Sequence, residues 1–139
     1  DGSSAVDTVD KFAFSDDSRT TLGTGLSGTR SNFAAMANSG TAGYFGGGYD
    51  GSGIVDTVDK FAFSDDSRTT LGTGLSSTRS NMAAMANSGT AGYFGGGQAP
   101  SNVDTVDKFA FSDDSRTTLG TGLSAATRVL AAMANSGSL

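Results

Sequence analysis

The sequence contains no Cys, His, Glu or Trp, and it has a single Pro. Without Cys or His, the chain cannot form disulfides, thiolate zinc sites, imidazole metal ligands or a histidine acid-base centre. These absences exclude most familiar enzyme mechanisms and predict a protein that is not an enzyme and holds no cofactor. All 14 acidic residues are Asp, and 21 of the 139 residues are Gly. Because Gly, Asp, Ser and Thr favour turns over helices, the composition predicts an all-β or an unstructured chain.

Large apolar residues are scarce, since Leu, Ile, Val and Phe together make up 25 of 139 residues. That share is low enough to make disorder the alternative to an all-β fold. Nine Phe at recurring positions and a net charge of only −5 favour the packed β protein. Nine Lys and Arg in an acidic chain argue against a nucleic-acid partner. No stretch approaches the roughly 20 apolar residues of a membrane span, so no membrane insertion is expected.

An internal repeat fills the chain. The 22-residue segment VDTVDKFAFSDDSRTTLGTGLS occurs three times without a change, at 6–27, 55–76 and 103–124. AAMANSG follows each copy, at 34–40, 83–89 and 131–137. Periods of about 20 to 50 residues are typical of solenoids, propellers and other arrays, whose units bury their apolar faces against neighbouring units.

The long segment predicts a β-hairpin. VDKFAF puts Phe12 and Phe14 on one face of a strand, SDDS supplies a turn, and RTTL returns as a second strand. Asp16 and Asp17 in this turn could ligate calcium, but two adjacent carboxylates are far from the six to eight ligands that the ion requires. A solvated turn with side-chain to backbone hydrogen bonds is therefore favoured.

A second hairpin is predicted between the copies. NFAAMAN (32–38) is too short for an isolated helix, and in β-rich surroundings we expect a strand. AGYFGG (42–47) follows after three residues and would pair with it. Each unit is thus predicted to contain four short strands.

From Arg30 to Arg79, the order of these motifs resembles the kelch repeat. That family's blade begins near an Arg, ends its second strand in aromatics and a Gly-Gly pair, and continues with a Val-Glu-x-Tyr-like third strand. Tyr44-Phe45-Gly46-Gly47 and Val9-Asp10-Lys11-Phe12 stand at those positions here. The resemblance covers essentially the whole chain and implies β-propeller blades of four strands. A β-solenoid is the alternative architecture.

The chain departs from the kelch pattern in two places. The family's fourth-strand Trp is missing, and the third unit has Thr127 at the aligned Arg position, with its Arg at Arg128. The near-identical copies also resemble kelch-like arrays of phage and marine viral structural proteins. This second resemblance implies a virion component.

In kelch register, the chain holds about three four-stranded blade equivalents. They are a half blade with strands three and four, two full blades, and the first strand of an incomplete blade, at 1–29, 30–78, 79–126 and 127–139. Propellers typically need four to eight blades. We therefore expect a ring closed by oligomerisation, most simply six blades from two chains, or a part of a longer propeller. The layer between sheets is expected to contain Phe12, Phe14, Leu22 and Phe45.

The connection between the second and third strands varies most between copies. It reads DGSSA (1–5), YDGSGI (49–54) and QAPSN (98–102). Because loops on a rigid scaffold carry recognition, the candidate recognition residues are Tyr49, Asp50, Ser52, Gln98, Ser101 and Asn102.

Two arginines are further candidates. Kelch domains often use Arg residues at the top of the ring to hold acidic ligands, and this resemblance implies such a role for Arg30 and Arg79. The alternative is an ion pair between each Arg and Asp7, Asp10 or their copies, whose charges match in number and phase.

The predicted function is a non-catalytic structural or adhesive module that displays the variable loops, as a virion tail or capsid-surface component or a secreted surface component. The alternative is a multivalent lectin, in which Tyr49 stacks on a sugar, Asp50 hydrogen-bonds it, and several weak sites gain avidity. The expected partners are other copies of the chain or adjoining subunits of a larger assembly, with a surface glycan under the lectin hypothesis. The expected location is the virion surface or the extracellular space.

Overall fold

A computed structural model describes residues 5–87 and 89–132, and this part of the chain is all-β, as the composition predicts. Several strands contain Val, Phe or Tyr, which favour extended structure, and Gly, Asp and Ser occupy many of the turns. The twelve strands are β1 (Asp10–Phe12), β2 (Arg19–Thr21), β3 (Ala34–Asn38), β4 (Ala42–Gly46), β5 (Val58–Ala62), β6 (Arg68–Thr70), β7 (Ala83–Asn87), β8 (Ala91–Gly95), β9 (Gln98–Ala99), β10 (Ser101–Asn102), β11 (Val106–Ala110) and β12 (Arg116–Thr118).

The strands form three main antiparallel sheets and one short ribbon. Sheet 1 contains β1 and β2, sheet 2 has the order β3-β4-β5-β6, and sheet 3 has the order β7-β8-β11-β12. The ribbon β9-β10 is inserted in the connection between β8 and β11. Sheets 2 and 3 confirm the prediction of four short strands per unit, including the strand at AAMAN.

Sheets 2 and 3 share one register because their sequences are copies. Tyr44 lies opposite Lys60 in sheet 2, and Tyr93 lies opposite Lys108 in sheet 3. Along β3, burial alternates with the period of two expected of a strand, so that Ala34, Met36 and Asn38 are buried. This face of β3 packs towards sheet 3, where β7 lies beside it.

The core lies between sheets 2 and 3. It contains Ala34, Met36, Ala42, Tyr44, Val58, Leu75, Met82, Phe94 and Phe109. The rings of Phe94 and Phe109 meet edge to face, with centroids 5.8 Å apart. Phe94 also lies directly against Gly46, where a Cβ would come within 2.7 Å of its Cζ. The glycine therefore allows the two sheets to approach closely.

The expectation that Phe12 and Phe14 fill the layer between sheets is wrong. Phe12 is 57% exposed and Phe14 is 100% exposed, whereas Phe61 and Phe109, the copies of Phe12, are 4% and 0% exposed. The reason is the environment of β1, which pairs only with β2 among the described residues. Phe45 and Leu22 are partly buried, and the edge-to-face contact of Phe45 with Phe61, at 5.6 Å, lies within sheet 2 rather than between sheets.

The predicted first strand of the incomplete blade falls at 127–139, and residues 133–139 of this range lie outside the described residues. Thr127 occupies the position of Arg30 and Arg79, since its amide donates to Val103 as theirs donate to Val6 and Val55. The backbone hydrogen bonds thus agree with the sequence alignment, which puts Thr127 rather than Arg128 at the Arg position of the third unit.

Candidate functional site

The two described variable loops, 49–54 and 98–102, emerge at one end of the sheets. Tyr49 forms a β-bridge with Ser31, and Gln98 forms the equivalent bridge with Ser80. Each bridge, with the residues around it, forms the frame of its loop. The two frames are joined directly, because the Asn81 amide donates to the Asn32 carbonyl at 2.9 Å. The candidate recognition residues on both loops are therefore brought to the same end of the molecule.

The first variable loop is held in one shape by its own polar groups. Asp50 accepts hydrogen bonds through Oδ1 from the amides of Ser52 at 2.8 Å and Gly53 at 2.9 Å. These backbone hydrogen bonds lower the pKa of Asp50 below its ordinary value. Tyr49 bridges to Ile54, and its hydroxyl donates to the Gly51 carbonyl at 3.0 Å. The Tyr49 residue is 41% exposed, and Asp50 is exposed as well, so the loop presents an aromatic residue and a carboxylate to solvent.

The second variable loop has a different chemistry on the same frame. Gln98 pairs with Asn102 in the ribbon, and its Nε2 donates to the Pro100 carbonyl at 3.0 Å. Arg128 donates from Nη1 to the Gln98 side-chain oxygen at 2.6 Å. Ser101 and Asn102 are exposed. This loop thus offers amide, hydroxyl and guanidinium groups in place of the tyrosine and carboxylate of the first loop.

Arg30 and Arg79 lie beneath these loops, buried in the fold. Arg30 donates to the Asp59 carboxylate, to the Thr57 carbonyl at 3.0 Å and to the Gly47 carbonyl at 3.4 Å. Arg79 repeats this arrangement in sheet 3, with its acceptors at Asp107, Thr105 and Gly96. Asp59 and Asp107 are the copies of Asp10, so the ion pair considered in the sequence is present. Each Arg fastens the base of one variable loop.

The carboxylate of Asp59 also joins consecutive repeats. It accepts from both the amide and the hydroxyl of Ser27 at 2.9 Å, and from the Thr70 hydroxyl at 2.6 Å. Burial by itself would raise the pKa of Asp59, but these hydrogen bonds and the Arg30 charge lower it overall. Asp107 repeats the arrangement with Ser76, Thr118 and Arg79, and its pKa is also lowered.

The SDDS turns form the predicted side-chain to backbone hydrogen bonds. The Ser18 amide donates to Asp16 Oδ1 at 3.1 Å, and the Ser67 amide donates to Asp65 at 3.0 Å. Within residues 5–87 and 89–132, no group of three or more acidic side chains comes together in a way that could hold a metal ion. The same part of the chain contains no helix of the length and apolar character required to cross a membrane.

One polar cluster between sheets 2 and 3 was not predicted from the sequence. The buried Tyr44 donates its hydroxyl to Asp114 Oδ1 at 2.7 Å, and Lys60 donates to Asp114 Oδ2 at 2.7 Å. Burial raises the pKa of Tyr44, and the hydrogen bond to Asp114 raises it further. The signal was present as a Tyr, a Lys and an Asp repeated in phase, but nothing in the sequence shows that they meet across two sheets.

A comparison of the chain with protein-family models and with curated protein sequences finds no match.

Proposed function

We propose that the chain is a non-catalytic recognition scaffold, a structural or adhesive module that displays variable loops from one end of stacked four-stranded sheets. One observation carries this proposal. The loops at 49–54 and 98–102 stand on equivalent frames, each fastened by the same buried Arg–Asp pair, yet they expose different chemical groups. A constant frame beneath variable loops is the arrangement that recognition proteins use.

We propose further that sheets 2 and 3 are propeller blades of the kelch type. Each is a four-stranded antiparallel sheet whose strands, the inserted ribbon apart, are adjacent in chain order. The first strands, β3 and β7, consist of small residues and Met and lie beside each other, as suits the crowded strands nearest a propeller axis. The ring itself would be completed by further copies of the repeat, in an oligomer or in a longer array.

The module belongs, on this proposal, to a virion surface or a secreted surface assembly. The support is the resemblance to viral kelch-like arrays, together with exposed Phe12 and Phe14, which are suited to association. The test is density-gradient fractionation of a lysate and medium from the culture in which the protein is made. An antibody against the protein then detects it in each fraction. Co-sedimentation with a particle is the expected result for a virion component. Detection only as a free intracellular protein would contradict both locations.

The lectin function is a second candidate because Tyr49 and Asp50 are both exposed on a loop already held in shape by its own hydrogen bonds. A glycan array with the wild-type protein and the Tyr49→Ala variant tests it. Saturable binding that Tyr49→Ala abolishes and Asn102→Ala, on the other loop, leaves intact would favour the lectin. Absence of binding across the array would leave the scaffold function.

A further inference from the structure

Part of the contact between sheets 2 and 3 is formed by Tyr44 and the two residues that receive it, Phe111 and Asp114, which we call the socket. The Tyr44 ring stacks on Phe111, with centroids 5.2 Å apart and planes inclined by 28°. Its hydroxyl reaches Asp114, which also pairs with Lys60. Beside it, Met36 of sheet 2 fills the space that a Cβ on Gly92 would need. Sheet 2 therefore supplies the Tyr, Lys and Met, and sheet 3 supplies the Phe, Asp and Gly.

Only part of this contact is present one unit earlier, between sheets 1 and 2. Lys11 pairs with Asp66 at 2.7 Å, just as Lys60 pairs with Asp114. Phe63, the copy of Phe111, is 43% exposed. Among the described residues, sheet 1 has no strand equivalent to β4, and no tyrosine lies on Phe63 or donates to Asp66. The socket is formed, and no described residue fills it.

A groove of about 730 Å³ occupies this position. One wall is β1 and the two residues that follow it, with Phe12 and Phe14, and the opposite face contains Gly43, Phe61 and Phe63. The charged groups of the groove include Lys11 and Asp66. At Gly43, a Cβ would meet nothing closer than a Phe63 ring atom at 3.5 Å, so the methionine contact seen at Gly92 is missing here. The groove is apolar where the aromatic rings lie. It is polar at Asp66, the copy of the Asp114 that binds the Tyr44 hydroxyl between sheets 2 and 3.

The edge of β1 along this groove matches an incoming strand. In sheet 2, the Thr57 carbonyl accepts from the Gly47 amide at 2.9 Å, and the Phe63 amide donates to the Thr41 carbonyl at 2.9 Å, at the two ends of the β4–β5 pairing. By the repeat, Thr8 and Phe14 offer the same groups beside β1. An open edge of this kind is a template for strand addition.

We propose that this groove binds a β-hairpin of the AAMAN–AGYFG type, by strand addition to β1. In the register of sheet 2, its tyrosine lies opposite Lys11, stacks on Phe63 and donates its hydroxyl to Asp66. The following phenylalanine lies opposite Asp10 and packs on Phe12, as Phe45 packs on Phe61. This inference depends on the proposed association with further repeats and on no other part of the proposed function.

The occupant is a separate hairpin rather than a folded copy of this chain. In the described residues, β4 is paired on both edges by β3 and β5, and β8 is paired by β7 and β11. Neither AGYFG strand of a folded copy is therefore available to add to β1. A two-stranded hairpin that is not paired with a third strand has a free edge on its AGYFG strand, as the proposed addition requires.

The test uses the full chain and a synthetic peptide with the sequence of residues 81–97, labelled at its N-terminus and followed by fluorescence anisotropy. We expect saturable binding, together with slowed hydrogen exchange at the Phe12 and Phe14 amides. A peptide with Tyr93→Phe should bind about tenfold more weakly, because a hydrogen bond to a charged acceptor is lost. The protein variants Phe63→Ala and Asp66→Asn should each weaken binding of the wild-type peptide. The Asp65→Asn variant, which changes the neighbouring turn carboxylate, is the matched control and should bind normally.

Binding that is unchanged by Phe63→Ala and Asp66→Asn would overturn the proposal, as would the absence of binding by a chain that circular dichroism shows to be folded. A chain that is already dimeric, and takes up the peptide only as the dimer dissociates, would overturn the separate hairpin in favour of a second copy. Equal affinity of the Tyr93→Phe and wild-type peptides would overturn the assignment of the tyrosine to Asp66. The particle fractionation and the glycan array test the display function independently, so either proposal can fail alone.

Discussion

Arg79 and Asp107 form an ion pair in which both side chains are fully buried, at 0% exposure. The same pair exists at Arg30 and Asp59, with both side chains almost as deeply buried. Each carboxylate also accepts hydrogen bonds from a Ser of the preceding repeat and from a Thr of its own sheet. The pairs therefore link neighbouring sheets and the bases of the variable loops at a single point.

Replacing Arg79 by Met should destabilise the fold by about 3 to 5 kcal/mol, because it leaves the buried Asp107 carboxylate without its charged partner. Urea unfolding followed by circular dichroism measures the loss. Arg19→Met is the matched control, since Arg19 pairs with Asp10, the exposed copy of Asp107. The control should unfold like the wild type. Equal losses in the two variants would show that burial of the pair at Arg79 is not what stabilises the protein.

Stability should fall as the pH drops below about 3.8, the ordinary pKa of an aspartic acid. The folded state lowers the pKa of Asp59 and Asp107, so the unfolded state binds more protons in this acid range, and protonation favours unfolding. The stabilisation is present above the unfolded pKa and is lost as the pH falls through the folded pKa. Urea midpoints at pH 6 and pH 3 provide the measurement. The urea midpoint of the Asp59→Asn variant should change less between the two pH values than that of the wild type. An equal change in both proteins would show that protonation of Asp59 does not cause the loss of stability.

Gly46→Ala should destabilise the protein by about 1 to 3 kcal/mol, because the new methyl group would overlap the Phe94 ring and force the sheets apart. Its copy in sheet 3 provides the control. A Cβ on Gly95 would meet its nearest atoms, in Leu123 and Val106, at 3.7 Å, which is ordinary contact. Gly95→Ala should therefore be neutral or slightly stabilising, since it restricts the unfolded chain. Thermal unfolding of the two variants distinguishes them, and similar losses would contradict the close approach at Gly46.

Val129→Asn should stabilise the protein by about 1 kcal/mol. Val129 has a φ of 57°, a left-handed conformation that disfavours a β-branched side chain. The equivalent positions in the other units are Asn32 and Asn81, each with a φ of 55°. The substitution restores the residue type used there while the Val129 amide keeps its hydrogen bond to the Asn81 carbonyl. The reverse change, Asn81→Val, should be destabilising, and the unfolding midpoints of both variants provide the test.

Much of the secondary structure could be predicted from the sequence. The four strands of a unit, the hairpin turn at SDDS and the variable connections all follow from local patterns of apolar, turn-forming and glycine residues. The sequence also offered an ion pair for Arg30 and Arg79, because the acidic and basic positions recur in phase. The sequence could not choose between that pair and a ligand site, since the choice depends on whether the side chains point into the fold. The contact of Tyr44 with Asp114, 70 residues away, also has no local pattern to reveal it.

The sequence by itself determined the period of the repeat, the strand content of each unit and the absence of thiol and imidazole chemistry, because these depend only on residue types and their spacing. The tertiary structure decided which copy of each motif is buried. Phe12, Phe61 and Phe109 stand in identical 22-residue segments, yet the first is exposed and the other two are buried. Burial is set by neighbouring sheets rather than by local sequence, and of these three phenylalanines only Phe12 lies on a strand with an open edge among the described residues.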